Sequence, residues 1–247
     1  MRNRYRRMLL IRCFEAIHLH FKFKRILKKN VMPFDERYML AMKMVKKYHK
    51  SMNLNIQPFG LENLDPNIKG CMLVGNHQGK EDGAATVDAI GKLLPTAFVI
   101  ADHRSHQFLF GNMCDMLGVK RIKFDDLKSQ IKVYNEMTEE ISNGKRFIIF
   151  PEAGYDDNRN NLQYFNTPCF MPIIKSKCPI IPFCLYDTWK IYHKDYQGFR
   201  KLNSEVHFLK PIYYEEYAGL SKKDLAELVK SRIEEKLNQL KIEKNEA

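Results

Sequence analysis

Short apolar runs alternate with longer amphipathic stretches over most of this chain. Five runs are short and rich in apolar residues: Cys71–Gly75, Ala97–Ala101, and residues 146–150, 179–185 and 205–209. Runs of this length, bounded by turn formers, read as strands of a sheet covered on both faces. Between them, residues 81–94, 105–117, 127–143 and 221–240 place apolar side chains at helical spacing. The last opens with Ser221-Lys222-Lys223-Asp224, a start of the capping-box kind. The alternation predicts an α/β fold, with a mostly parallel sheet flanked by helices and functional groups gathered at strand ends.

Two further helices are predicted ahead of this region. In the first thirty residues, Met8, Ile11, Phe14, Ile17 and Phe21 recur every three or four positions, interleaved with Arg, His and Lys. A basic amphipathic helix of this kind suits a lipid headgroup region. The same pattern suits a helix packed on the protein body with a solvated basic face, and a basic arm can also meet nucleic acid. The second helix is expected over residues 34–50, with Asp35 as a cap and Met39, Met42, Met44 and Val45 as apolar positions. Residues 53–67, with Pro58, Gly60 and Pro66, read as a connector. The division expected is residues 1–55 as a basic amphipathic helical membrane-docking segment and residues 56–247 as the α/β domain.

Composition sharpens this picture. A chain of 247 residues with 45% hydrophobic and 12% aromatic residues can bury a sizeable core. Its net charge is +12, but residues 1–30 carry ten Lys or Arg against the single acid Glu15. Nine of the twelve net positive charges therefore belong to the first helix, and the rest of the chain is near balance. Six cysteines show no C-x-x-C pair and several lie in apolar runs, which fits buried free thiols in a reducing compartment. His103 and His106 stand three apart without further ligands, so no metal is expected. No apolar run reaches eighteen residues, and Arg12 and Glu15 interrupt the N-terminal one, so neither a single-pass anchor nor a secretory signal is expected.

The chemistry is concentrated in Asn76-His77-Gln78-Gly79-Lys80-Glu81-Asp82, directly after the first apolar run. A neutral imidazole can take a proton from an alcohol, and a carboxylate can hold the ring's tautomer and stabilise the imidazolium that forms. Five positions apart on one helix, His77 and Asp82 would point about 140° apart. They can meet only across a turn, with His77 leaving a strand and Asp82 starting a helix. The plainer alternative is that both simply cap that helix. No G-x-S-x-G elbow is present, so direct transfer is simpler than a covalent serine intermediate.

This block, with Gly118 to Asp125, Phe150-Pro151-Glu152-Ala153-Gly154 and Cys178-Pro179-Ile180-Ile181-Pro182-Phe183 in that order, resembles the glycerolipid acyltransferase superfamily, and within it the 1-acyl-glycerol-3-phosphate (lysophosphatidic acid) acyltransferases. The resemblance implies His77 as the base and Asp82 as its orienting partner. It implies a substrate-binding role for Glu152, for Gly154 in an anion-binding loop, and for Gly79 near the reacting carbonyl or phosphate. The chain departs from the family pattern twice. Ala153-Gly154-Tyr155 stands where Gly-Thr-Arg is usual, and Phe124 stands near the arginine that often ends the second block. Lys120, Arg121 and Arg159 are the basic residues that could take over phosphate binding; as plain alternatives, the first two suit the solvated side of an edge strand and the third an exposed loop. Pro168, Phe170, Met171, Pro172 and Ile173 could wall an acyl groove or be ordinary core, and Asp187, Trp189 and Tyr192 could form the far edge of the pocket.

The activity implied is transfer of an acyl group from an acyl-CoA or acyl carrier protein thioester to a lysophospholipid acceptor, giving phosphatidic acid. No bound cofactor and no nucleic acid are implied. The expected location is the cytoplasmic face of a membrane, peripheral or monotopic, on an anionic surface. Rivals are an acyltransferase for glycerol-3-phosphate, another lysophospholipid or an aminolipid, and a non-catalytic basic membrane-binding module.

Overall fold

The computed structural model describes residues 3–106 and 110–245. Two helices, α1 (Arg4–Lys29) and α2 (Phe34–Ser51), lead into strand β1 (Leu54–Phe59). There follow β2 (Cys71–Gly75), α3 (Asp82–Ile90), β3 (Ala97–Ala101), α4 (Phe110–Met116), β4 (Lys120–Ile122), α5 (Leu127–Ser142) and β5 (Arg146–Ile149). The chain ends with α6 (Met171–Ser176), β6 (Ile180–Tyr186), β7 (Leu202–Phe208), α7 (Tyr214–Tyr217) and α8 (Lys222–Glu243). The strands form one sheet in the order β1-β7-β6-β2-β5-β3-β4. Every pairing is parallel except β6 with β7.

The sheet is covered on both faces, which is why its central strands lack polar alternation. In β2 all five residues are buried. Met72 and Val74 join Phe147, Ile149, Ile180 and Cys184 in a core closed by α5, α6 and α8. Cys71 and Leu73, pointing the other way, join Ile148, Ile181, Phe183 and Leu185 in a core closed by α2, α3 and α4. All six cysteines are free thiols, five of them buried.

Several element limits differ from the sequence pattern. The connector expected over residues 53–67 contains β1, which pairs with β7, with Leu54 opposite Leu202 and Phe59 opposite His207. Pro58 is tolerated because β1 is an edge strand with one unpaired side. Helix α3 stops at Ile90 rather than residue 94, because Gly91 turns left-handed at φ 59°. In the helix expected over 105–117, Ser105 instead closes a 3-10 turn on Asp102, residues 107–109 lie outside the described residues, and the helix runs from Phe110. Phe170, Pro172 and Ile173 are buried and pack the interior instead of walling a groove, whereas Pro168 is exposed and Met171 half-buried.

Helix α1 is apolar on two sides. Met8, Ala16 and Phe23 are buried against the body. Leu10, Ile11, Phe14, Ile17 and Phe21 face solvent, Phe14 with 86% of its surface exposed. The helix is fixed along its length. The buried Arg4 side chain donates to the Tyr196 and Met52 carbonyls at 3.0 and 2.9 Å, and Arg7 donates to Ser51 and Gly198 carbonyls. Farther along, Asn112 donates to the His20 carbonyl. No helix among the described residues is long and apolar enough to cross a membrane.

Candidate active site

Three neighbouring parallel strands, β6, β2 and β5, end on the same edge of the sheet, and the segments that leave them converge there. Loops beyond the carboxyl ends of parallel strands are where such sheets place their sites. Asn76 bridges the point where β2 and β6 part: its side chain donates to the Leu185 carbonyl at 3.1 Å and accepts the Leu185 N–H at 2.7 Å. His77 follows on the turn. Asp82 starts α3 and folds back over that turn.

The Asp82 carboxylate is fully buried. Its Oδ2 lies 2.7 Å from His77 Nδ1, and it also accepts the Gly79 N–H at 2.8 Å and the Gln78 N–H. One oxygen therefore caps the turn and holds the ring at once, so capping the turn does not compete with orienting the ring. With Nδ1 held as a donor to Asp82, Nε2 is the nitrogen left to accept a proton. The ring is 19% exposed at its side chain. It stacks on Phe150 at 4.8 Å and meets Tyr155 edge-on at 4.7 Å.

Glu152 stands after β5, 6% exposed. Its Oε1 accepts the His77 N–H at 2.9 Å; its Oε2 accepts Asn158 Nδ2 and the Gln163 N–H, each at 3.1 Å. Both oxygens are thus engaged in fastening the 152–163 loop to the His77 turn. Burial pushes its pKa up to about 7, against the pull of the His77 and Gln163 N–H groups, which favour the charged form. The left-handed residues of this loop are Ala153, Arg159 and Asn160, at φ 57°, 45° and 67°, while Gly154 has an ordinary backbone and open space around it. Gly79 likewise has an ordinary φ, and a side chain there would meet nothing closer than 4.0 Å. Its N–H is already given to Asp82, so what the glycine contributes is room beside the turn.

The basic residues are placed unequally. Lys120 points toward α5 and bonds Glu136 and Glu140 at 2.9 and 2.6 Å. Arg121, on the other face of β4, pairs with Asp115 at 2.6 Å and donates to Ser105 Oγ at 2.8 Å. Arg159 is exposed, pairs with Asp157 at 2.7 Å and lies over the Trp189 ring at 5.4 Å. Its neighbours tie it to the His77 turn: Asn158 Nδ2 donates to the His77 carbonyl at 3.1 Å, and the Asn160 N–H donates to Gln78 Oε1 at 2.8 Å. Asn160 also exchanges two hydrogen bonds with Asp187, which follows β6. Tyr192 reaches the same turn through Glu81, at 2.6 Å.

Asn158, Asn160 and Gln78 were not singled out by the sequence. The available signal was the Asn158-Arg159-Asn160-Asn161 run, since asparagine tolerates the left-handed backbone that Asn160 adopts. Among the described residues, no group of three His, Cys, Asp or Glu side chains could hold a metal ion. The arrangement can hold a neutral imidazole in one tautomer, accept a hydroxyl proton at Nε2, and stabilise the cation that results.

Comparison with known proteins gives three findings. The family model described as acyltransferase matches residues 55–186. A curated relative, the chloroplastic 1-acyl-sn-glycerol-3-phosphate acyltransferase BAT2 of Brassica napus, is 27% identical over 173 residues, 65% of this chain and 48% of its own. The chain therefore spans about half the length of that relative. The crystal structure of the 1-acyl-sn-glycerophosphate (LPA) acyltransferase PlsC from Thermotoga maritima superposes with a TM-score of 0.70 at 18% identity, covering 93% of this chain and 98% of that one. At that identity the likeness concerns the fold.

Proposed function

The chain belongs to the acyltransferase family, and from that premise we propose that it transfers a fatty acyl group from an acyl thioester to the free hydroxyl of 1-acyl-glycerol-3-phosphate, giving phosphatidic acid. The observation that carries this reading is the 2.7 Å contact between His77 Nδ1 and the fully buried Asp82. His77 Nε2 takes the proton of the acceptor hydroxyl as its oxygen attacks the thioester carbonyl. The C–S bond then breaks, and the imidazolium returns the proton to the departing thiolate. A positioned base contributes about 10²- to 10⁴-fold to such a step. The donor is the thioester of coenzyme A or of acyl carrier protein.

Within this reading, Glu152 orders the loop that borders the substrate, and Arg159 is the phosphate ligand. Arg159 is favoured over Lys120 and Arg121 because its neighbours Asn158 and Asn160 bond the His77 and Gln78 residues directly. The enzyme acts at the cytoplasmic face of a membrane as a peripheral or monotopic protein. The solvent-facing apolar stripe of α1 and its basic flanks support that location. Each Lys or Arg near an anionic surface adds about 1 kcal/mol.

The test is transfer of a labelled acyl group to lysophosphatidic acid on vesicles. His77→Ala is expected to abolish it with the fold intact, and near wild-type activity in that variant removes the base assignment. A second acceptor reading is favoured by one observation: Tyr155 occupies the position where the family's phosphate-binding arginine is usual. Glycerol-3-phosphate, other lysophospholipids and an aminolipid, each offered with one donor, separate the two. A preference for lysophosphatidic acid that Arg159→Ala weakens by about tenfold or more in KM supports the first, in line with the strength of bidentate guanidinium–phosphate bonding.

A further inference from the structure

Beside the catalytic turn lies a buried ionic cluster that the reaction as described does not use. His49, on α2, is 2% exposed, and both ring nitrogens face carboxylates. Nδ1 is 2.5 Å from Asp88 Oδ2, and Nε2 is 2.9 Å from Glu81 Oε1. A neutral imidazole has a single N–H, so its other nitrogen would aim a lone pair at a carboxylate oxygen. Only the doubly protonated ring can donate to both. The groups around it balance that charge. Glu81 Oε2 accepts the Tyr192 hydroxyl at 2.6 Å, Asp88 Oδ1 lies 3.5 Å from the half-exposed Lys46 ammonium, and the buried Tyr38 phenol feels the Asp88 charge while staying neutral. Two carboxylates thus face one imidazolium and one ammonium. Without the ring's second proton, one carboxylate would lose its donor, leaving Asp88 with Lys46 or Glu81 with the Tyr192 hydroxyl.

Glu81 immediately precedes Asp82, and its carbonyl accepts the Ala85 N–H at 2.7 Å, starting α3. Asp88 lies two turns further along the same helix. We propose that His49 is a positioning residue whose imidazolium clamps Glu81 and Asp88, and thereby fixes the start of α3 where Asp82 can reach both the 78–79 backbone and the His77 ring. The proposal rests on His77 being the base. Burial alone would discharge the His49 ring, but its hydrogen bonds to Asp88 and Glu81, and their charges, outweigh that and hold its pKa up at about 9. The clamp is therefore closed through the neutral range and opens as pH rises through about 9.

The experiment combines NMR of protein labelled with 15N-histidine, titrated from pH 6 to 10, with kcat and KM of acyl transfer for the wild type and for His49→Gln over the same range. One ring should keep two N–H groups at pH 8, and its signals should be missing from His49→Gln. A misplacement of about 1 Å in a catalytic group can cost about 100-fold, so kcat of His49→Gln should fall roughly 10- to 100-fold, with both KM values within about twofold. The wild type should lose kcat above about pH 9 and the variant should lack that alkaline limb. A variant with wild-type kcat and the same alkaline limb overturns the proposal. If His49→Gln does not fold, the wild-type titration still decides, because a His49 ring singly protonated at pH 7.5 also overturns it. Failure of the base assignment is separable: it shows as an active His77→Ala, whereas the His49 protonation state is read without turnover.

Discussion

The substitution Asp82→Asn removes a charge from the proposed catalytic pair and almost no volume. Asp82 Oδ2 receives His77 Nδ1 at 2.7 Å, the Gly79 N–H at 2.8 Å and the Gln78 N–H, while Oδ1 is buried without a hydrogen-bond partner. An asparagine can keep its oxygen on the three donors and put its amide nitrogen where Oδ1 was. An unsatisfied buried amide costs about 1–3 kcal/mol, a few degrees in melting temperature for a chain of this size. The effect on rate is larger. At about 3 Å and an effective dielectric constant near 20, two unit charges attract by about 5–6 kcal/mol. The ring gains its charge only as the hydroxyl proton arrives, so about half of that attraction, roughly 3 kcal/mol, distinguishes the transition state from the ground state. At about 1.36 kcal/mol per decade this is about 100-fold in kcat. The assay is thiol release from acyl-CoA in the presence of lysophosphatidic acid, with KM and melting temperature measured on the same preparation. A folded Asp82→Asn enzyme within threefold of wild-type kcat refutes the reasoning and leaves Asp82 as a cap for the turn.

Phe14→Glu tests the exposed stripe: burying a phenylalanine is worth about 1.5–3 kcal/mol, so partition onto anionic vesicles should weaken by at least about tenfold. Unchanged flotation of that variant would remove α1 from the lipid contact. Glu152→Gln tests the buried acid. Its folded pKa of about 7 lies above the ordinary glutamate value of 4.5, so its contribution to stability is complete below about pH 4.5 and is lost as pH rises through about 7. The wild type should therefore lose up to about 3 kcal/mol relative to the variant between those pH values. Parallel denaturation curves across that window would contradict it.

Local pattern was enough for much of the architecture. Strands β2 and β3 follow their apolar runs from end to end, and the His77–Asp82 spacing is read from seven consecutive residues. What escaped depends on distant partners. Strand β1 carries Pro58 and is a strand because Leu202 to His207 pair with it, from a part of the chain almost 150 residues away. Strand β4 is only three residues long, below what periodicity can register, and the sequence offered it only as the edge-strand alternative for Lys120 and Arg121. The placement of the basic residues depended on partners no motif reveals: Glu136 and Glu140 for Lys120, Asp115 for Arg121, Asp157 for Arg159. His49 reads as one more polar position on an amphipathic helix until α3 is folded against it.

The two-sided character of α1 makes the helix we propose for lipid docking inseparable from the rest of the molecule. Met8, Ala16 and Phe23 seal apolar surface on the body, and the guanidinium of Arg4 is locked into main-chain carbonyls beneath it. Cutting the helix away would uncover a greasy scar while stranding the partners of a buried cation. A truncated enzyme made for handling in plain buffer should therefore aggregate more readily than the full chain. A form without the proposed lipid contact is better sought by repainting the outward stripe, at Leu10, Ile11, Phe14 and Phe21, than by shortening the polypeptide.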